Sequence, residues 1–236
     1  MGRHKFRSAL RQEMQRSGWQ AAAVVPWYLS GGILAANCIA AYQPKGAASL
    51  AASYVNLANP GTYDAAPGTA PTWAAGTGWT FNGTTQYLTT GIVPAATFTI
   101  IAQFSGASLP PGNYPQPVGQ NTTGAVNNIS NGGVIPFPGG NHYFSWGGAA
   151  TTVAGGLAAG NLALAGNQGY LNGVADGAAV GGGYGVATRG LFIGARNSNA
   201  GAAEYWYAGN IQAVAIYDVT LTAPQVAAVA AAMAAL

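Results

Sequence analysis

The stretch TFTIIAQF places Phe98, Ile100, Ala102 and Phe104 on one side of an extended chain and Thr99, Ile101 and Gln103 on the other. That period of two belongs to a β-strand and not to a helix. NHYFSWGG, NLALAG, GYLNGVADG, GLFIGAR and GNIQAVAIYDV continue the series, most of them short runs that stop at Gly, Asn or Pro. Short strands with regular turn signals restrict the chain to a sandwich or a barrel. In GYLNGVA, Asn172-Gly173 fits a type I′ hairpin, where both central residues need positive φ. GWTFNGTTQYLTTG reads as two strands, or one bent strand, about Asn82-Gly83. The segment GASLPPGNYPQPVGQNTTGAVNNISNGGVIPFPGGN is rich in Pro, Gly and Asn. Long loops with short edge strands are expected there, because proline cannot serve a central ladder.

Both ends depart from the β pattern. At the C-terminus, LTAPQVAAVAAAMAAL opens on a capping box, Thr222 with Gln225, and has Pro224 in the first turn. Val226, Val229, Met233 and Leu236 form one apolar stripe, so a helix over about 222–235 is expected to lie flat on the sandwich. At the N-terminus, Arg3, Lys5, Arg7, Arg11 and Arg16 are five of the eight basic residues. Phe6, Leu10 and Met14 recur every four residues, which suits a short amphipathic helix ending near Gly18. Such an arm either packs on its own domain or docks on a partner. The expected organisation is a basic arm and connector over 1–37, then one β domain over 38–236.

Charge is scarce. Charged residues are 6% of the 236-residue chain, against roughly a quarter in ordinary domains. Beyond residue 20, Lys45, Arg189 and Arg196 face Asp64, Asp176, Glu204 and Asp218. The net charge of +3 therefore comes from the arm, and the body offers no basic track for nucleic acid. So little surface charge also favours association, and a homo-oligomer or multi-copy assembly is expected. The uncharged run after Arg16 is interrupted by Pro26, Ser30, Gly31, Gly32 and Asn37, which suits neither a signal peptide nor a membrane span. One cysteine, Cys38, allows no intrachain disulfide and reads as a small buried hydrophobe.

Candidate chemistry is sparse. Glycoside hydrolysis usually needs two carboxylates across the sugar, and no two of the five acidic residues share a strand at alternate positions. His142 lies in GGNHYFSW, far in sequence from any acid, and reads as a loop or surface residue. One Cys and two His make no zinc pattern. Scattered acids argue against a tight calcium site, while a weak one built from carbonyls and one Asp stays open. No other cofactor is expected, and the Gly-rich GGGYGVATRG reads as a loop between strands. Aromatic side chains remain, because sugars stack their C–H faces on Trp and Tyr. Tyr143, Trp146, Tyr205, Trp206 and Tyr207 are the candidate carbohydrate contacts, with Tyr143, Trp146 and Trp206 the foremost. In YWY, strand geometry would set Tyr205 and Tyr207 opposite Trp206.

Four stretches in order, FNGTTQYLTTG, GYLNGV, GLFIGAR and YAGNIQAVAIYDVTLTAPQVAAV, resemble landmarks of the concanavalin A-like, laminin G-like jelly-roll superfamily. The resemblance covers about residues 38–236 and implies an all-β fold of two antiparallel sheets packed face to face. That superfamily includes glucanases, lectins, adhesion domains and tailed-phage virion proteins, so the fold does not choose the function. With no catalytic set in sight, the expectation is a non-enzymatic virion-surface component, in head decoration or tail attachment. It would dock on shell or virion proteins through Arg3, Lys5, Phe6, Arg7, Leu10, Arg11, Met14 and Arg16, and present a lectin-like domain to glycans. The alternative is a secreted or displayed carbohydrate-binding module.

Overall fold

The alternation around residue 100 builds the centre of the molecule. In a computed structural model, β6 (Thr99–Ser108) buries Ile100, Ala102 and Phe104 on one face and Ile101 on the other. The structure describes residues 24–109, 114–121, 132–136, 138, 140–183, 187–198 and 200–236. The expected arm helix and its contact residues lie outside this set.

β6 sits in an eight-stranded sheet with β1 (Cys38–Tyr42), β3 (Thr72–Ala74), β4 (Gly78–Asn82), β11 (Gly160–Ala165), β12 (Gln168–Leu171), β13 (Val174–Ala175) and β17 (Ala208–Tyr217). The order is β13-β12-β11-β6-β17-β4-β3, with β1 also paired to β17. A second sheet runs β10 (Ala149–Val153), β9 (His142–Trp146), β8 (Gly132–Ile135), β7 (Val118–Gln120), β14 (Phe192–Ile193), β5 (Tyr87–Thr89) and β2 (Ala66–Thr69). β15 (Arg196–Asn197) and β16 (Ala203–Glu204) extend it beside β7. Neighbours are antiparallel apart from β15 on β7. The fold is the expected two-sheet jelly-roll sandwich with a closing helix.

Two cores result. Between the sheets lie Trp79, Phe81, Leu88, Phe104, Val118, Val134, Phe144, Ile193 and Tyr207. Behind the first sheet, Ile101, Ala163, Ala215 and Tyr217 meet Val226, Val229 and Met233 of the C-terminal helix, Ala223–Ala234. The capping box forms, with Gln225 Oε1 accepting from the Thr222 N–H at 3.0 Å. The first sheet is thus the middle of three layers, which is why β6 and β17 are apolar on both faces. Each large side chain buried this way contributes about 1.5–3 kcal/mol. Residues 24–37, expected as a connector, pack on the body: Trp27, Tyr28 and Leu29 rest on the second core, and Tyr217 Oη donates to the Tyr28 carbonyl at 2.8 Å.

Turn chemistry holds where it is local. Asn172 and Gly173 take φ 51° and 83° and join β12 to β13. At Gly173 a Cβ would stand 2.8 Å from Ala227 Cα, so the hairpin also needs glycine to meet the helix. About Asn82-Gly83 the chain forms two strands, β4 and β5, in different sheets. Asn82 Oδ1 accepts from the N–H groups of Thr84, Thr85 and Gln86 and turns the chain across. One expectation is corrected: β7 and β8, from the proline-rich stretch, sit inside the second sheet and not at its edge. Pro117 precedes β7 and Pro136 follows β8, so the ladder itself is free of proline. Among the described residues no helix is long and apolar enough to cross a membrane.

Candidate functional site

The second sheet presents one face to the core and the other outward. Leu88, Ile193, Val118, Val134 and Phe144 point inward across β5, β14, β7, β8 and β9. Their neighbours along each strand therefore point outward: Tyr87, Phe192, Gly119 and Tyr143. An aromatic band follows. Tyr87 packs on Phe192 at 4.8 Å between centroids and edge-on to Trp206 at 5.6 Å. Tyr205, next in sequence to Trp206, lies 6.3 Å from Tyr114, and Tyr114 meets Tyr143 edge-on at 5.4 Å. From β5 to β9 is four inter-strand steps, about 19 Å. Tyr114 is exposed, and Tyr87, Tyr143, Tyr205 and Trp206 are half-buried.

Polar groups set this band in place. Gln116 is buried and lies across Gly119, where a Cβ would stand 2.0 Å from its Oε1. The Gln116 N–H donates to the Tyr205 carbonyl at 3.1 Å, tying the two loops together. Tyr205 has φ 48°, a left-handed conformation that costs a bulky residue on the order of 1–3 kcal/mol. Arg196 compensates. Its guanidinium carbon stands 4.0 Å over the Tyr205 ring, and its Nε and Nη2 donate to Glu204 Oε1 at 2.9 and 2.5 Å. Arg196 and Glu204 are register partners across β15 and β16.

The sequence candidates divide. Tyr143 joins the band from β9, and Trp206 joins it through Tyr87. Trp146 shares the inward side of β9 with Phe144 and packs against the core between the sheets. YWY is not a strand: the left-handed turn at Tyr205 ends the alternation, and Tyr207 is fully buried between Phe81 and Phe104. Tyr87, Tyr114, Gln116, Arg196 and Glu204 were missed. The signal for the last two was present, opposite charges on either side of a short turn-forming segment in a chain with little charge.

His142 also differs from expectation. It is 2% exposed and belongs to β9. Nδ1 donates to the Gly155 carbonyl at 2.6 Å, and Nε2 pairs with Asp176 Oδ2 at 2.6 Å. The fold supplies the acid from 34 residues away, and the pair ties the second sheet to the turn beyond β13. Asp64 accepts from the N–H groups of Asn56 and Gly61. Among the described residues no three His, Cys, Asp or Glu gather as a metal centre.

No protein-family model and no curated protein matches the chain. Solved structures do. Trypanosoma rangeli sialidase aligns over 96% of this chain and 38% of its own, at 16% identity and a TM-score of 0.59. Domain 4 of AbnA, a GH43 extracellular arabinanase from Geobacillus stearothermophilus solved with arabinotriose, aligns over 82% of this chain and 98% of its own, at 18% identity and a TM-score of 0.52. This chain thus spans well under half of the sialidase. The shared element is the two-sheet jelly-roll sandwich.

These neighbours overturn two expectations. The non-enzymatic virion-surface component, with its head decoration or tail attachment, rested on one set of proteins that use this fold. The neighbours are instead a glycoside hydrolase and a domain of one. The expectation that the chain stands apart from enzymes falls with it. Sandwich packing specifies layers and not chemistry, so the fold gave no ground for separating this chain from hydrolases.

Proposed function

We propose that this chain is a carbohydrate-binding jelly-roll domain, laminin G-like in its landmarks, of the kind carried by polypeptides that act on glycans. The saccharide lies along the aromatic band on the outer face of the second sheet. One observation carries this reading: Tyr114, Tyr143 and Tyr205 meet at a surface fixed by Gln116 and Arg196. Tyrosine rings offer apolar faces to sugar C–H groups, and their hydroxyls are polar handles for sugar hydroxyls. A few aromatic faces with convergent polar groups are the usual makings of a small-molecule site. The arabinanase domain, solved with a trisaccharide, is a sandwich of the same architecture over nearly its full length. An extracellular setting accords with such a ligand.

The test is calorimetric titration of the protein with oligosaccharides chosen from a glycan array. Tyr143→Ala and Tyr205→Ala should each weaken binding about tenfold or more, the equivalent of ~1.4 kcal/mol. Trp146→Phe, on the core side, should leave affinity within about twofold. Full affinity in both tyrosine variants, checked for folding by circular dichroism, would remove the proposal.

A further inference from the structure

We infer that the saccharide is neutral, and that Arg196 is a positioning residue for Tyr205 rather than a receptor for an acidic sugar. The inference rests on the carbohydrate reading above and deepens it. An arginine at a glycan site invites the opposite conclusion, because a guanidinium matches a sugar carboxylate in a two-pronged pair. Three observations argue against it here.

The first is access. Arg196 is 1% exposed, so a ligand reaches its guanidinium only if the site opens. The second is compensation. Both Nε and Nη2 are directed at Glu204 Oε1, and the guanidinium lies on the Tyr205 ring. A buried cation already paired with a carboxylate has little attraction left for a second anion, whereas breaking the pair leaves an uncompensated charge. Glu204 itself is 38% exposed at its side chain, so of this pair the carboxylate lies nearer the surface, and it repels a sugar carboxylate. The third is the remaining lining. Tyr87, Tyr114, Tyr143, Tyr205, Trp206 and the Gln116 amide carry no formal charge at neutral pH.

The function of Arg196 follows from its geometry. Tyr205 stands at φ 48° between β16 and β17, and its carbonyl accepts from Gln116. The guanidinium over its ring keeps that ring beside Tyr114 despite the backbone strain. Arg189 is the other arginine at this end, set by Gly201 in the turn that joins β15 to β16.

The experiment uses the full chain and a matched pair of probes, lactose-type neutral oligosaccharides and the same structures capped with sialic acid, at low and high salt. A neutral ligand should bind with affinity constant to about twofold across salt, as expected where no ion pair forms. Its sialylated form should bind no better. Arg196→Lys, which keeps the charge but loses the planar stack, should weaken the neutral ligand about fivefold or more. Arg189→Ala should leave it unchanged. A sialylated probe that binds about tenfold tighter and weakens with salt would overturn the inference while leaving the carbohydrate reading intact. Arg196→Lys with undiminished affinity would overturn the positioning role. No binding by any saccharide on a broad array would overturn both this inference and the reading beneath it.

Discussion

Cys38 is 6% exposed at the start of β1, under Ile33 and the C-terminal helix. Burial pushes its thiol up from 9.0 to about 12, with the nearby Asp218 charge adding to the effect. The thiolate is the reactive form, so native Cys38 should resist a disulfide exchange reagent at pH ~8 and react fully once urea unfolds the chain. Rapid labelling of the native protein would contradict this burial. Cys38 shows the residue scale at its most legible, since a lone cysteine in an apolar run reads correctly as a small hydrophobe. Tyr143 and Trp146 show its limit. They are three apart on one strand and equally attractive as sugar contacts, yet one faces outward and the other the core. Which side of β9 is inward depends on Val134 of the next strand, and no local rule contains that.

Between elements, His142 on β9, one strand in from the edge of the second sheet, is held to Asp176 in the turn beyond β13 of the first. The histidine is buried and the aspartate is largely so. Removing Asp176 leaves the buried His142 short of a bond it cannot replace from water, and removing His142 leaves a largely buried carboxylate without its partner. His142→Ala and Asp176→Asn should each cost about 1–3 kcal/mol in urea unfolding. The double variant should cost less than their sum, and strict additivity would mean that the pair is not coupled. The C-terminal helix gives a second test. Thr222→Ala removes half of the capping box and should cost about 1 kcal/mol, while Met233→Ala opens a cavity in the second core and should cost about 2–5 kcal/mol. Equal effects would mean that the helix is held by its cap and not by its apolar face. The cap, the stripe and the Asn172-Gly173 hairpin were legible because each is specified by residues within one turn of each other. The placement of β7 and β8 was not, because proline excludes itself from a ladder without saying where the flanking strands go.

For the whole molecule, buried phenols join the thiol. Burial raises the hydroxyls of Tyr42, Tyr207 and Tyr217 well above their usual 10.0, with Asp64 adding to the effect at Tyr42 and Cys38 at Tyr217. Each raised group favours the protonated form in the fold. Its stabilisation is therefore whole below the unfolded pKa and is lost as pH climbs from there toward the folded value. For Cys38 that window runs from 9.0 to about 12, and for the tyrosines it opens at 10.0. Stability should hold level to about pH 9 and then fall, approaching ~1.4 kcal/mol per pH unit for each group ionised only in the unfolded chain. Urea midpoints that stay flat through about pH 11 would show that these groups ionise in place. The topology sets the folding rate. β1 (38–42) closes on β17 (208–217), so 165 of the 236 residues lie between two paired strands. Refolding should therefore take milliseconds to seconds or longer, in the slow range of sandwich folds.

The sequence by itself determined the layers: period-two strands, glycine and asparagine turns, and a capped helix. These are short-range properties, fixed by sterics and hydrogen bonding among near neighbours. Only the tertiary structure decided the site. Tyr87, Tyr114, Tyr143 and Tyr205 come from four separate stretches, and they share a surface because β5, β7, β9 and β14 lie in one sheet and because Tyr205 turns left-handed under Arg196. Which distant residues become neighbours depends on how strands pair across the whole chain, and that is settled by the packing of the two cores together and not by any segment alone.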